Sequence, residues 1–412
     1  MKPICSLLAA GVVLCVSAPV VHADEAPEPP APPPAEVVDS VNAFAFDLYG
    51  RLAGESDDNL FLSPASISTA LAMTYAGARQ TTAEQMAAVL HLPERDVHEG
   101  FGAMVDYLNA LGEQEDFDLT MANALWGQHD YAFRPEFTEL LGANYRAGLR
   151  PVDFRRDAEA ARLRINAWVE EQTNEKIQDL IPPRVLSAYT RLVLTNAIYF
   201  HGYWQEQFDP DNTRPRPFTT AAGEEVETPM MFQEAEFRYA EFGYGEDATV
   251  QCLEMGYAGG DMAMTILLPR RKDGLPGLEK GLDAAALRQW TGRLRSRKVR
   301  VYLPKFSMTT QFQLKPVLAA MGMPEAFTAN RADFSGMDGT RELFIHEVIH
   351  KAFVDVNETG TEAAAATGIV VGVTAVPPPP PVFRADRPFL FLIRDTRSGA
   401  VLFAGRVNDP AP

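Results

Sequence analysis

His346-Glu347-Val348-Ile349-His350 spells HExxH, the spacing at which two imidazoles ligate one zinc ion and the glutamate serves as a base. That chemistry needs a helix, where one turn brings residues four apart onto one face about 6 Å from each other. The flanking residues argue for another geometry. Leu343 to Val356 (LFIHEVIHKAFVDV) is long, apolar and β-branched, as a buried strand is. On a strand, residues four apart share a face but stand roughly 13 Å from each other. Imidazoles that far apart cannot meet one ion at ~2 Å. No third ligand falls at a recognisable spacing, so a structural histidine accounts for the match. A zinc hydrolase remains an alternative, and no metal or cofactor is expected. Cys252, in VQCLEMGY, reads as a buried small hydrophobe, with a reactive thiol as its alternative. No serine sits in GxSxG, and CxxC and Gly-rich phosphate loops are absent, so an enzyme is the weaker class.

A second candidate is a segment rather than a residue. Asp355 to Val376 reads DVNETGTEAAAATGIVVGVTAV and runs into five prolines, Pro377 to Pro381. Thr361 to Thr367 holds small residues and one charge, Glu362. As a loop it buries little apolar surface, yet nothing in it is too large to slide between two strands. Gly360 and Gly368 permit sharp backbone changes at either end of that run. Ile369 to Val376 is β-branched like a strand. The prolines lack N–H donors, so they form a stiff extended exit rather than part of a ladder.

Other elements must hold this segment in place. Val37 to Leu52 has helical periodicity, Ser66 to Ala78 continues as a helix entered at Ser63-Pro64, and residues 157–176 form a further helix candidate. Thr190 to Phe200 and Leu343 to Val356 read as buried central strands, and Val299 to Met308 and Pro388 to Val407 as further strands. Helices mixed with long, non-alternating strands predict an α+β fold.

The 412 residues are 46% hydrophobic, enough for one very large domain or two ordinary ones. Met1 to Ala23 reads as a cleaved export signal, with Lys2 ahead of an apolar run from Ile4 to Val21. Residues 24–36 (PEPPAPPP at their centre) form a Pro-rich spacer. Secretion to the periplasm or the medium is therefore expected. Cys252 would be the one cysteine left, so no internal disulfide is possible. The net charge of −18 argues against nucleic acid and anionic membranes as partners. The basic run Arg293 to Arg300 reads as a solvated turn and strand edge.

The segment from Asp355 onward resembles the hinge and reactive loop of the serpins, the serine-protease-inhibitor superfamily. Beside it, FRADRPFLFLI (Phe383 to Ile393) is similar to the family signature, and DTRSGAVLFAGRVNDP to its C-terminal hairpin. Asn59 to Met86, Leu194 to Pro210 and Val301 to Met308 resemble further segments, in the family's order. The resemblance covers nearly all of the chain after residue 36. It implies a single domain over residues 37–412 with three β-sheets, about nine helices and an exposed reactive-centre loop at about 358–382.

The resemblance also implies a mechanism. The loop is bait for a serine protease, and after cleavage Glu358 to about Val373 inserts as a new central strand that drags the acylated protease across the molecule. Glu358, Gly360, Thr361, Glu362 and Ala363, Ala364, Ala365 and Ala366 correspond to the hinge. Ser63, Ser66, Asn196 and His350 correspond to a polar shutter under the sheet. Trp204, Lys305 and Glu358 correspond to the breach where the loop first enters. The family's spacing from Gly360 puts the cut at Thr374–Ala375, with Val373 or Val371 as alternative residues before it. None of these is basic, and no Lys or Arg occurs from Glu362 to Phe383. The expected target is elastase-like or subtilisin-like, with a papain-like cysteine protease as an alternative. Alternate residues of an inserted strand point inward, so Thr361, Ala363, Ala365 and Thr367 share that face, all small and uncharged. Inhibition is favoured over a non-inhibitory serpin-fold binding or chaperone role. Some serpins bind heparin through a basic helix. The comparable stretch here, Pro93 to Asp116, is acidic, so heparin is not an expected partner, and a monomer is.

Overall fold

The structure is a computed structural model that describes residues 31–112, 117–146, 149–243, 249–361 and 379–411. It opens with helix α1 (Ala35–Ala53), strand β1 (Leu60–Leu62) and helices α2 (Pro64–Tyr75), α3 (Gln80–Val89) and α4 (His98–Gly112). Strand β2 (Phe117–Gln128), helix α5 (Pro135–Tyr145), strand β3 (Leu149–Val152), helix α6 (Ala158–Gln172) and strand β4 (Leu192–Tyr203) follow. Strands β5 (Arg214–Thr219), β6 (Glu225–Gly243), β7 (Thr249–Gly256) and β8 (Met262–Pro269) lead to helices α7 (Leu275–Gly281) and α8 (Ala284–Thr291). Next come β9 (Arg295–Pro304), β10 (Phe306–Gln313), α9 (Lys315–Met321), α10 (Ser335–Asp338) and β11 (Val348–Val356). The described chain closes with β12 (Gly360–Thr361), β13 (Val382–Arg384), β14 (Phe389–Asp395) and β15 (Val401–Val407).

The helix start at Ser63-Pro64 has the expected local cause. Ser63 is extended at the N-cap, its side-chain oxygen accepts from the Ser66 N–H at 3.3 Å, and Pro64 takes the first helical position, where no donor is needed. Every residue of α2 from Pro64 to Thr74 is buried, so this helix runs through the interior.

One sheet has the order β10-β11-β4-β2-β3, with β12 added on β4. The apolar run of β4 is non-alternating because both of its faces are covered. Leu194, Ile198 and Phe200 enter the large core beneath α1 and α2, while Val193 and Ala197 pack into a second core with Trp126, Ile165 and Val169. The other network has the order β1-β15-β14-β8-β7-β6-β9-β13, with β5 added on β6. Three sheets were expected. Among the described residues two hydrogen-bonded networks occur, because the 19-residue β6 pairs with β5 and β9 along one part and with β7 along the other, joining what would otherwise be two sheets.

The expected strand from Leu343 also shifts. Pairing begins only at Val348; Leu343 and Ile345 are buried without ladder partners, and His346 precedes the strand. The chain breaks at Lys305 between β9 and β10, so Val299 to Met308 is two strands rather than one.

Candidate functional site

The site is the seam between β4 and β11. Strand β11 pairs antiparallel with β10 from Ile349↔Gln313 to Val356↔Phe306. Against β4 it pairs in parallel and only at its lower half, from Val348↔Leu194 to Ala352↔Ile198. Above Ala352 the two strands part. At the top of the opening β12 returns antiparallel to β4, with Gly360 opposite Tyr203 and Thr361 opposite Gly202. Gly360 and Thr361 thus pair with β4 above the point where, among the described residues, its pairing with β11 ends.

Gly360 is required there. Its φ of +151° lies in a region that L side chains rarely adopt, and a Cβ would meet Gly202 O at 2.1 Å and Tyr203 Cα at 2.7 Å. Gly360→Ala is therefore expected to expel the hinge, raising amide exchange at Gly360–Thr361 by tenfold or more. Unchanged exchange would show that the backbone yields instead.

Trp204, Lys305 and Glu358 lie together at the top of the seam. Trp204 is 2% exposed and stacks on Tyr257 with ring centroids 4.7 Å apart. Its indole Nε1 donates to Asn357 O at 3.0 Å and its backbone N–H to Thr359 O at 2.9 Å, so it holds the turn that reverses the chain between β11 and β12. Lys305 Nζ lies 2.8 Å from Glu358 Oε2, and Thr213 Oγ1 donates to Glu358 Oε1 at 2.8 Å. Burial opposes the charge on Glu358, but the hydrogen bonds from Lys305 and Thr213 outweigh it and hold the carboxyl below its usual range.

A buried polar cluster of Ser63, Ser66, Asn196 and His350 lies across the paired half of the seam. His350, Asn196 and Asn123 are cross-strand neighbours on β11, β4 and β2. The Ser63 N–H donates to His350 Nε2 at 3.0 Å, so Nδ1 carries the proton and donates to Asn196 Oδ1 at 2.6 Å. Asn196 Nδ2 in turn donates to Ser66 Oγ at 2.7 Å and to Asn123 Oδ1 at 2.8 Å. The Ser63 hydroxyl donates to Leu402 O at 2.7 Å. Parting β4 from β11 breaks the His350–Asn196 bond, because that bond bridges the two strands. Sequence reading found Ser63, Ser66, Asn196 and His350 but missed Asn123. The available signal was an asparagine inside an apolar strand (MANAL) that echoes the TNAI around Asn196.

These bonds also exclude the zinc reading. Both ring nitrogens of His350 are engaged by protein, so neither offers a lone pair to an ion. Glu347 and His346 precede the strand, not on a helix.

Burial pushes His350 down to about 3 from its ordinary 6.5. Its folded value lies below its unfolded one, so the neutral histidine contributes fully above about pH 6.5. That contribution is lost as the pH falls from there toward 3. The expected result is an extra stability loss of about 1.4 kcal/mol per pH unit over that window, absent in His350→Asn. Parallel pH profiles of wild type and variant in urea unfolding would contradict it.

Cys252 is wholly buried, and burial first, then the nearby Glu254, pushes its thiol far above the ordinary range, so it is the inert hydrophobe that was expected. Glu362, Ala363, Ala364, Ala365, Ala366, Val371, Val373, Thr374 and Ala375 lie outside the described residues, as does Met1 to Ala23.

A family model described as Serpin (serine protease inhibitor) matches residues 39–410. The chain belongs to the serpin family. It is 42% identical to the leukocyte elastase inhibitor of Bos taurus over 374 residues, covering 89% of this chain and 97% of that one. It is 40% identical to Serpin B8 of Homo sapiens over 381 residues, covering 91% and 100%. The crystal structure of uncleaved ovalbumin matches with a TM-score of 0.80 at 32% identity, covering 90% of this chain and all of that one. Serpins are protease inhibitors rather than catalysts, and a target protease is the partner the family implies.

These relatives correct one expectation. Met1 to Ala23 reads as an export signal, and secretion was inferred from it. The leukocyte elastase inhibitors and Serpin B8 are intracellular serpins without such a signal, and the match takes in the whole Serpin B8 chain while leaving about a tenth of this one outside it. They point away from secretion. The composition test failed because an apolar run behind a lysine meets the physical requirements of a signal without showing that one operates.

Proposed function

We propose that this serpin is a suicide-substrate inhibitor that works by loop cleavage and insertion. The observation that carries the proposal is the hinge pairing Gly360↔Tyr203 and Thr361↔Gly202 above a parted seam. If that register continues, ten residues past Thr361 brings Val371 level with Leu192, ten residues back from Gly202 at the start of β4. The new strand runs antiparallel to both β4 and β11. It replaces one parallel junction, the weaker pairing per residue, with two antiparallel ones.

The chemistry begins as proteolysis. The protease serine oxygen attacks the Thr374 carbonyl, the Thr374–Ala375 bond breaks, and the Ala375 amine leaves with a proton. The acyl ester remains on Thr374. A strand of ~15 residues spans roughly 50 Å, so insertion carries the esterified protease that far before water deacylates it. Serpin loop insertion is a familiar case of such stored-strain release. The small uncharged residues at Val371, Val373 and Thr374 suit a small apolar pocket, and the relatives named leukocyte elastase inhibitors support an elastase-like target. Subtilisin-like proteases present the same demand.

Incubation with pancreatic elastase or subtilisin is expected to give an SDS-resistant complex of the summed masses, less the C-terminal fragment. Cleavage at the loop with the protease fully active afterwards would sink the inhibitory reading. It would favour a serpin fold used for binding alone.

A further inference from the structure

The foot of the β4–β11 seam carries a cavity that insertion alone leaves without a role. Strand β4 starts at Leu192, which in the register Val348↔Leu194 is level with His346. A cavity of about 270 Å³ opens at this level. Tyr189, Arg191 and Leu192 line it from the β4 side, and Glu342, Phe344 and His346 from the β11 side. Tyr189 is 88% exposed, more than any other large hydrophobic side chain among the described residues. It sits in a turn closed by the Thr190 N–H, which donates to Ser187 O at 2.9 Å.

Arg191 is fastened over this turn. Its Nη1 donates to Ala188 O and to Thr190 O, both at 2.9 Å. Both acceptors are neutral carbonyls, so among the described residues no carboxylate meets the charge of the guanidinium. Its Nε and Nη2 donate to nothing among those residues, and neither is sealed from solvent. Two donors of a fixed cation are thus open to an anion.

The hinge register identifies the anion. Each step down the inserted strand is one step back along β4, starting from Thr361↔Gly202. Thirteen steps past Thr361 bring Thr374 level with Tyr189, thirteen back from Gly202. The carbonyl end of Thr374 then points onward to Ala188, whose oxygen Arg191 already holds.

Proteolysis decides the charge on that end. While the protease is attached, Thr374 ends in a neutral ester. When water adds to the acyl carbon, the serine oxygen leaves with one of its protons. The other proton is released, and Thr374 ends in a carboxylate.

We propose that Arg191, set over the turn that carries Tyr189, clamps the Thr374 carboxylate of the spent loop through a charge-assisted hydrogen bond. The clamp rests on the insertion reading and adds a preference to it, for the hydrolysed end over the ester. Glu342 is the acid of the same cavity, but it is exposed, so water and salt screen its repulsion.

The test uses the full uncut chain and two peptides of sequence Glu362–Thr374 with a fluorophore at the N-terminus. One peptide ends in the free acid and the other in the amide, which stands in for the ester. Anisotropy is expected to show the acid leaving wild type about tenfold more slowly than the amide. The two should leave Arg191→Gln equally fast. Equal rates from wild type would overturn the clamp while leaving insertion intact, and this comparison needs no variant to fold. An undiminished preference in Arg191→Gln would overturn the assignment to Arg191. If neither peptide binds, the sheet does not take up the loop, and the insertion reading falls together with the clamp.

Discussion

Thr361→Arg is expected to convert the inhibitor into a substrate. Thr361 is the last described hinge residue and already stands opposite Gly202 at the top of the seam. In the inserted strand it shares the inward face with Ala363, Ala365 and Thr367. Burying an unpaired guanidinium there costs several kcal/mol, charged against the first step of insertion. The acyl-enzyme forms as before, because the scissile bond is untouched. Insertion then slows relative to deacylation, and a delay of about 3 kcal/mol corresponds to a factor of more than a hundred. The number of serpin molecules consumed per protease should rise from near one to tens or more, with the cleavage rate unchanged. Titration of residual protease activity measures it. A stoichiometry equal to wild type would mean that the hinge does not enter the sheet.

Loop-cleaved protein is expected to melt far above the uncut protein. Insertion adds about ten ladder hydrogen bonds, each contributing ~1 kcal/mol net. At about 2 °C per kcal/mol for a domain of this size, the midpoint rises by ~20 °C. It also closes the gap above Ala352, where β4 and β11 have parted. Differential scanning calorimetry before and after limited proteolysis at the loop decides the matter. Coincident transitions would identify a serpin fold that does not store strain. Gly360→Ala sharpens the comparison, because it disturbs only the starting contact and should leave the cleaved form's gain largely in place.

Much of the fold was legible because its causes are local. Ser63-Pro64 announces a helix through capping chemistry within three residues. The run Thr190 to Phe200 announces a strand covered on both faces because apolar residues do not alternate. The error at Leu343 has a local cause as well. A β-branched apolar run satisfies strand propensity, but Leu343 and Ile345 are buried without a ladder, and burial alone produces the same composition. The joined sheets were not legible, since nothing in the composition of Glu225 to Gly243 says that one strand will serve two sets of partners.

The candidate site divides the same way. Residue type alone indicated that Gly360 permits a sharp backbone change and that the hinge run is small, with Glu362 as its one charge; that Gly360 is required was decided by its φ and the approach of β4. Residue type also favoured a strand for His350, which weakened the zinc reading; the bonds to both ring nitrogens then closed it. What His350 touches was decided by tertiary structure. Ser63 is 287 positions away from it and Asn196 is 154 away. Asn123 joins them only because β2 lies beside β4. A strand's sequence records which face each side chain takes, since that alternation is fixed by the backbone. It does not record which strand lies alongside, because that depends on packing contacts from the rest of the chain. The half-open parallel seam between β4 and β11 belongs to this second kind of information.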